Sequence, residues 1–159
     1  MNKKFFRSFI GLICFALLFL TAACYQRFDK IDVKASGKMI IFSHPKITKA
    51  FEQGNIVVLH SFHVYRKAPE GDEREMWYVA NRRDGAEYFS AALSKPFIAY
   101  AENLPAMSVL IDPKPIREGH YTINAEFGIY NQKRERLDGL TILDDFDLTA
   151  DDAGNLSVK

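Results

Sequence analysis

The chain is poor in cysteine, in tryptophan and in net charge, and it has no apolar run long enough to cross a bilayer. Two cysteines stand among 159 residues, at positions 14 and 24. A disulfide-stapled scaffold is therefore not expected, although an oxidising compartment would permit one. The formal charge is +1, and no basic stripe or block suggests nucleic acid as a partner. Gly-x-Ser-x-Gly, His-Glu-x-x-His and a phosphate-cradling glycine loop are all missing. No catalytic residues, metal or cofactor are expected, and the protein reads as a binder, not an enzyme. The longest apolar run, Phe9 to Leu20, has 12 residues, against about 20 for a spanning helix.

What is there begins at the amino terminus. Lys3, Lys4 and Arg7 precede the apolar run, and the small residues Thr21, Ala22 and Ala23 follow it. A charged start, a short apolar helix and a small-residue cleavage site make a secretory signal over residues 1–23. Leu20-Thr21-Ala22-Ala23-Cys24 resembles a bacterial lipobox, with Thr21 where Leu is usual. The resemblance implies diacylation of the Cys24 thiol, cleavage after Ala23 and acylation of the new amino group. Two or more acyl chains give stable membrane anchoring where one is marginal. Tyr25 stands where an Asp would signal inner-membrane retention, so the resemblance points to the periplasmic face of the outer membrane. Residues 24–30 form an acylated tether, within roughly 20 Å of the bilayer at about 3.5 Å per extended residue.

Removing residues 1–23 leaves 136 residues, one domain's worth. Three of the 21 basic residues leave with the signal, so 18 face 20 acidic ones, a formal −2. From Ile31 onward the hydrophobic period is two. Short strands are expected at Ile31–Val33, Lys38–Ser43, Asn55–Arg66, Glu75–Ala80, Pro96–Tyr100, Ala106–Ile111, Glu118–Tyr130, Leu140–Leu148 and Leu156–Val158. One helical turn is expected around Ile47–Phe51, and a short helix or irregular connector over Ala86–Leu93. In Asn55–Arg66 the even positions, Ile56, Val58, His60, Phe62 and Val64, are expected to face the core, with Val57, Leu59, Ser61, His63 and Tyr65 half-exposed. In Glu118–Tyr130 the strict alternation puts Tyr121, Ile123, Ala125, Phe127 and Ile129 on one buried face. Gly119-x-Tyr121 resembles the penultimate strand of immunoglobulin-like sandwiches, where the tyrosine hydroxyl ties back to an upstream loop. Residues 31–159 are thus read as an all-β, antiparallel, immunoglobulin-like sandwich behind an N-terminal signal helix.

His60 and His63 lie three apart on a strand, so they are expected on opposite faces and unable to share a metal. His44 and His120 are read as structural or surface residues. Asp144, Asp145, Asp147, Asp151 and Asp152 do not meet the calcium-loop pattern, because no glycine stands at the sixth place after Asp145. They read as solvated strand ends and a turn. Trp77 and the tyrosines read as core or strand-pair residues before a sugar platform.

From Lys38 to the end, the order of elements resembles the periplasmic immunity lipoproteins of type VI secretion loci. The elements are an early strand at Lys38–Ser43, a Trp77 strand, a Pro96-aliphatic-Tyr100 strand, the Gly119–Tyr130 strand and a closing pair joined by Asp151–Asn155. The resemblance implies an anchored protein that binds a toxin effector delivered into the periplasm and blocks it sterically. That family has no fixed binding motif. On physical grounds alone, exposed aromatics and arginines in the loops are where an interface is expected, with Arg82, Arg83, Arg134 and Arg136 as the candidate partner-binding residues. An envelope structural or adaptor lipoprotein, and a periplasmic carbohydrate or small-ligand binder, are the alternatives. Replacing Cys24 by Ser is expected to move the protein from the membrane fraction to the soluble periplasm, as fractionation and immunoblotting would report; retention in the membrane contradicts the anchor.

Overall fold

The computed structural model describes residues 28–67, 73–104 and 106–159. The signal helix, Ala23, Cys24 and the tether before Phe28 lie outside the described residues, as does the tip of the loop carrying Pro69 and Gly71. Among the described residues nine strands form two antiparallel sheets. The smaller has the order β1 (Asp32–Ser36), β2 (Met39–Ser43), β5 (Phe97–Ala99). The larger has the order β6 (Ser108–Ile111), β4 (Glu73–Ala80), β3 (Ile56–Lys67), β7 (Gly119–Tyr130), β8 (Arg136–Ala150), β9 (Leu156–Val158). This is a mostly β architecture of two sheets, consistent with an all-β sandwich.

The core lies between the sheets. Ile40, Phe42 and Ile98 of the small sheet are buried together with Phe62, Ile123, Ile142 and Phe146 of the large one. Phe42 meets Phe62 and Phe146 with ring centroids at 5.2 and 5.9 Å, within the range of favourable aromatic pairs. Trp77, 1% exposed, packs against Phe62 and Tyr100, so it is a core residue. β7 follows its alternation: Tyr121, Ile123, Ala125, Phe127 and Ile129 are all buried. The Tyr121 hydroxyl donates to the Arg117 carbonyl at 2.7 Å and accepts the Arg117 N–H at 3.3 Å, which is the expected tie to the upstream loop.

β3 departs from its expected alternation, and the cause is one residue. Its pairing with β7 shifts register between Leu59 and Ser61, leaving His60 as the extra residue of a bulge. A bulge sets two residues against one and reverses which parity faces the core. Before it, the odd positions Val57 and Leu59 join the main core; after it, the even positions Phe62 and Val64 do. Val58 and His60 therefore face outward with His63, correcting the expectation that the even positions share one core face. It also corrects the placing of His60 and His63 on opposite sides.

The break after β2 is a full helix, α1 (Pro45–Glu52), longer than the single turn expected. His44 is its N-cap, with Nδ1 accepting the Lys46 N–H at 3.1 Å, and Pro45 occupies the first turn, where its missing N–H costs nothing. Ile47 and Ala50 are buried beneath it. The connector after β4 is a 3₁₀ helix (Gly85–Ala91). β8 begins at Arg136, four residues before the expected Leu140, so Arg136 belongs to a strand and not to a solvated loop. The closing turn forms as expected, with Asn155 N–H on the Asp151 carboxylate at 2.7 Å. Tyr121→Phe is expected to lower unfolding free energy by about 1 kcal/mol in urea titration; an unchanged midpoint would show that the Arg117 tie contributes nothing.

Candidate functional site

The outer face of the six-stranded sheet, away from the core, carries the densest arrangement of polar and aromatic side chains. At one end the bulge presents His60 beside a gap. Gly128 of β7 and Gly139 of β8 are paired in register and leave the sheet surface bare. A Cβ at Gly128 would lie 2.6 to 2.9 Å from the Tyr130 ring and hydroxyl and from His60 Nε2. A Cβ at Gly139 would lie 2.5 Å from an Arg136 guanidinium nitrogen. The two glycines are a window into which Tyr130, His60 and Arg136 lean, and any side chain there would expel them.

The 3₁₀ helix closes over this end. Val58, Ala91 and Tyr130 form a second, small apolar cluster with Tyr88 and Phe89 packed against it. Asn81 fastens the connection. Its N–H donates to the His60 carbonyl at 2.7 Å and its side-chain amide to the Tyr88 carbonyl at 3.0 Å. The Tyr88 hydroxyl sits between His60 Nε2 and the Tyr130 hydroxyl, the latter at 2.8 Å. Burial first, and then the Arg136 charge, lower the His60 pKa. Burial and the Tyr130 hydroxyl push the Tyr88 phenol well above its usual range. Tyr88 thus stays protonated at neutral pH and joins His60 and Tyr130 in a hydrogen-bonded support.

Two of the four candidate arginines stand on this support. The Arg134 guanidinium lies over the Phe89 ring at 4.9 Å, a cation–π contact. Arg134 also has a left-handed backbone, φ 65, a conformation costly for a non-glycine residue. The turn over-determines it: Asn131 Oδ1 accepts the N–H groups of Lys133 and Glu135, and the Asn131 carbonyl accepts that of Arg134. Arg136 lies over Gly139. Arg83 pairs with Glu87 of the 3₁₀ helix at 3.6 Å, and Arg82 is exposed on the same connecting segment. Arg83 and Arg134 thus both contact one short helix, through Glu87 and Phe89 near its middle. Tyr88, Tyr130, Gly128 and Gly139 were not singled out in the sequence, and His60 was weighed there only as a metal ligand. Only Gly128, a glycine inside an expected strand, hinted at a close approach there.

The rest of the outer face is open and differently made. In-register rows cross it, one running Ile111, Tyr78, His63, Asn124, Leu143. His63 is stacked on Tyr78 at 4.2 Å and contacts Tyr65 at 3.8 Å. Its Nε2 lies 3.2 Å from a Glu75 carboxylate oxygen, without an aligned hydrogen bond. Burial lowers its pKa and Glu75 opposes that. Most of the acidic cluster is engaged: Asp145 with Thr122 and Lys67, Asp147 with His120, Asp144 with the Ile31 N–H, Asp151 in its turn. An open depression of about 440 Å³ here is lined by Lys67, Glu73, Thr122, Leu143, Asp144 and Asp145, none aromatic. No group of three metal-ligating side chains occurs among the described residues.

No family model matches the chain, and no curated protein or solved structure matches it significantly. The fold and its outer face therefore define it only as an all-β, two-sheet protein.

Gly128→Ala is expected to cost about 1–3 kcal/mol of stability, because Tyr130 and His60 must move; a urea midpoint equal to the parent's would remove the window. The histidines set a pH dependence. The pKa values of His44, His60 and His63 all lie below the ordinary value of 6.5, mainly through burial. Their contribution to stability is complete above that value and is lost as pH falls through the lowered pKa values. Asp145, lowered chiefly by the Thr122 hydrogen bond, adds loss only below about pH 4. Urea midpoints are expected to be level above about pH 7 and to fall between about pH 6.5 and 5. His44→Asn, which still caps α1, removes part of that fall.

Proposed function

We propose that the protein is a lipid-anchored periplasmic binding protein that neutralises a type VI secretion effector by protein–protein contact. One observation carries the reading: Arg134 is held on the Phe89 ring, with Arg136 over the neighbouring Gly139 window. Ordering a long side chain on binding normally costs about 0.5–1.5 kcal/mol. An arginine already immobilised on an aromatic support avoids that cost. Arginine and tyrosine are also the residue types over-represented among dominant interface contacts. Backbone strain at Arg134 fits the same role, since strain is retained where a side chain must be aimed. A protonated Tyr88 and a His60 engaged with it favour binding over turnover. The sandwich is read as immunoglobulin-like, with the Tyr121–Arg117 tie as support.

A second reading has its own observation. β6 is an edge strand, and its Val109 is 55% exposed. An edge of this kind accepts an added strand, as an adaptor lipoprotein would use it. The carbohydrate reading draws little support, because the outer-face depression has no aromatic lining.

The test is to express the products of the genes flanking this one in the periplasm, singly, with and without this protein. One of them is expected to kill cells that lack it and spare cells that carry it; if none does, the immunity reading fails. Arg136→Ala is then expected to weaken complex formation at least tenfold in calorimetry, or about 1.4 kcal/mol. Arg134→Gly should weaken it too, while stability stays within about 1 kcal/mol of the parent, glycine being at ease at positive φ. Unchanged affinity in both variants places the interface elsewhere.

A further inference from the structure

The described chain starts on one particular side of the molecule, and that side has its own composition. Asp29 is bridged to Ile142 of β8, with its N–H on the Thr141 carbonyl at 3.1 Å. The Ile31 N–H donates to the Asp144 carboxylate at 3.0 Å. The Asp29 carboxylate pairs with Lys46 of α1 at 3.2 Å. From Asp29 onward the chain is fastened to the edge of β8 and to α1, so the domain does not swing about this point.

Phe28, 47% exposed, is the residue just before that clamp. It stands four positions after Cys24, so the two Cα atoms are at most roughly 14 Å apart even in an extended chain. Beside the clamp, α1 and β8 enclose a shallow depression of about 340 Å³ whose lining includes Lys46, Lys49, Gln53, Asn55, Leu137 and Asp138. Leu137, 55% exposed, is the extra residue of a second bulge, between the Ile129 and Tyr130 pairings. A bulge re-aims a side chain, and here it turns Leu137 toward α1. Leu137 and Thr141 are four residues apart on β8, about 14 Å along a strand. Phe28, Lys46, Lys49 and Leu137 therefore form one patch, of about the dimensions of a few lipid headgroups, adjoining the attachment point.

We propose that this α1/β8 edge is a membrane-docking face, seated on the phospholipid surface that holds Cys24, with Phe28 and Leu137 in the interface and Lys46 and Lys49 at the phosphates. The proposal rests on the lipid-anchor reading. A mature chain with a formal −2 is not drawn to a membrane from a distance. It needs no such attraction, because a tether of a few residues holds the patch at high local concentration against the bilayer. Aromatic and aliphatic side chains beside lysines are the composition of interfacial anchors. Asp29 and Asp138 reduce the positive charge of the patch, so the two apolar side chains carry the contact. Arg136, the neighbour of Leu137, lies over Gly139 on the other side of the sheet. Docking through α1 and β8 therefore leaves the arginine end of the outer face directed toward the periplasm.

The experiment uses the full-length acylated protein in vesicles of phosphatidylethanolamine and phosphatidylglycerol with brominated acyl chains. With Cys24 occupied by lipid, Leu137→Cys and Val109→Cys each supply one free thiol for a bimane label. Bromolipid is expected to quench the label at position 137 at least twofold and to leave that at 109 unchanged. With a label at Lys49→Cys, adding Phe28→Ser and Leu137→Asp is expected to abolish quenching while the protein still floats with the vesicles. Equal quenching at 137 and 109, or none at either, in a protein that floats overturns the docking face alone. A protein that does not float overturns the anchor, and the face with it.

Discussion

The single extra residue at His60 is the constraint on which the outer face depends. Without that bulge β3 keeps one parity throughout. Either Val57 and Leu59 or Phe62 and Val64 would then leave the core, and each pair fills space opposite the small sheet. A full reversal of faces by a one-residue slip is a property of the pleat itself. The bulge lets one long strand bury both pairs. The same reversal sends His60 outward to Tyr88, where the 3₁₀ helix can be pinned. Core and candidate site thus share one local irregularity.

The paired glycines complete the arrangement. A bulge turns His60 out, but the ring needs room, and Gly128 leaves it by contributing no Cβ, as Gly139 on the adjacent strand does for Arg136. Glycine inside a strand weakens it. The site therefore draws on stability supplied elsewhere, by the aromatic packing of Phe42, Phe62, Trp77 and Phe146. The left-handed backbone at Arg134 is a second local cost at the same end. Rigid support on one side and local strain on the other is a pattern that suits binding surfaces better than it suits a merely stable sheet.

On the proposed reading, the two faces would divide the labour of a tethered binder. The α1/β8 edge holds the start of the described chain at Asp29, and the outer face of the large sheet carries Arg134 and Arg136. The acidic half of that face, around Asp145 and Asp147, is engaged by one cation, Lys67, and by hydrogen bonds with Thr122 and His120. A partner meeting the arginine end would thus present acidic or aromatic groups, and electrostatics would serve selection and encounter more than bulk affinity.

Periodicity alone determined much of this protein. The alternation of β7 and the mostly β class follow from side chains that repeat every second residue, because local pleating dictates them; the turn at Asp151–Asn155 follows from its own turn residues, and the tie at Tyr121 was implied by the resemblance of Gly119-x-Tyr121 to a sandwich strand. The signal and the lipidation of Cys24 are expectations read from linear sequence alone and lie outside the described residues. The helix at Pro45 was half visible: His44-Pro45 reads as a strand stop, and only the folded backbone shows that it is also a cap. The bulges at His60 and Leu137, the window at Gly128 and Gly139 and the meeting of Arg83 and Arg134 on one short helix were decided by tertiary structure. Each depends on which residues face each other across strands far apart in sequence, and pairing register is a property of two segments together, which neither segment encodes by itself.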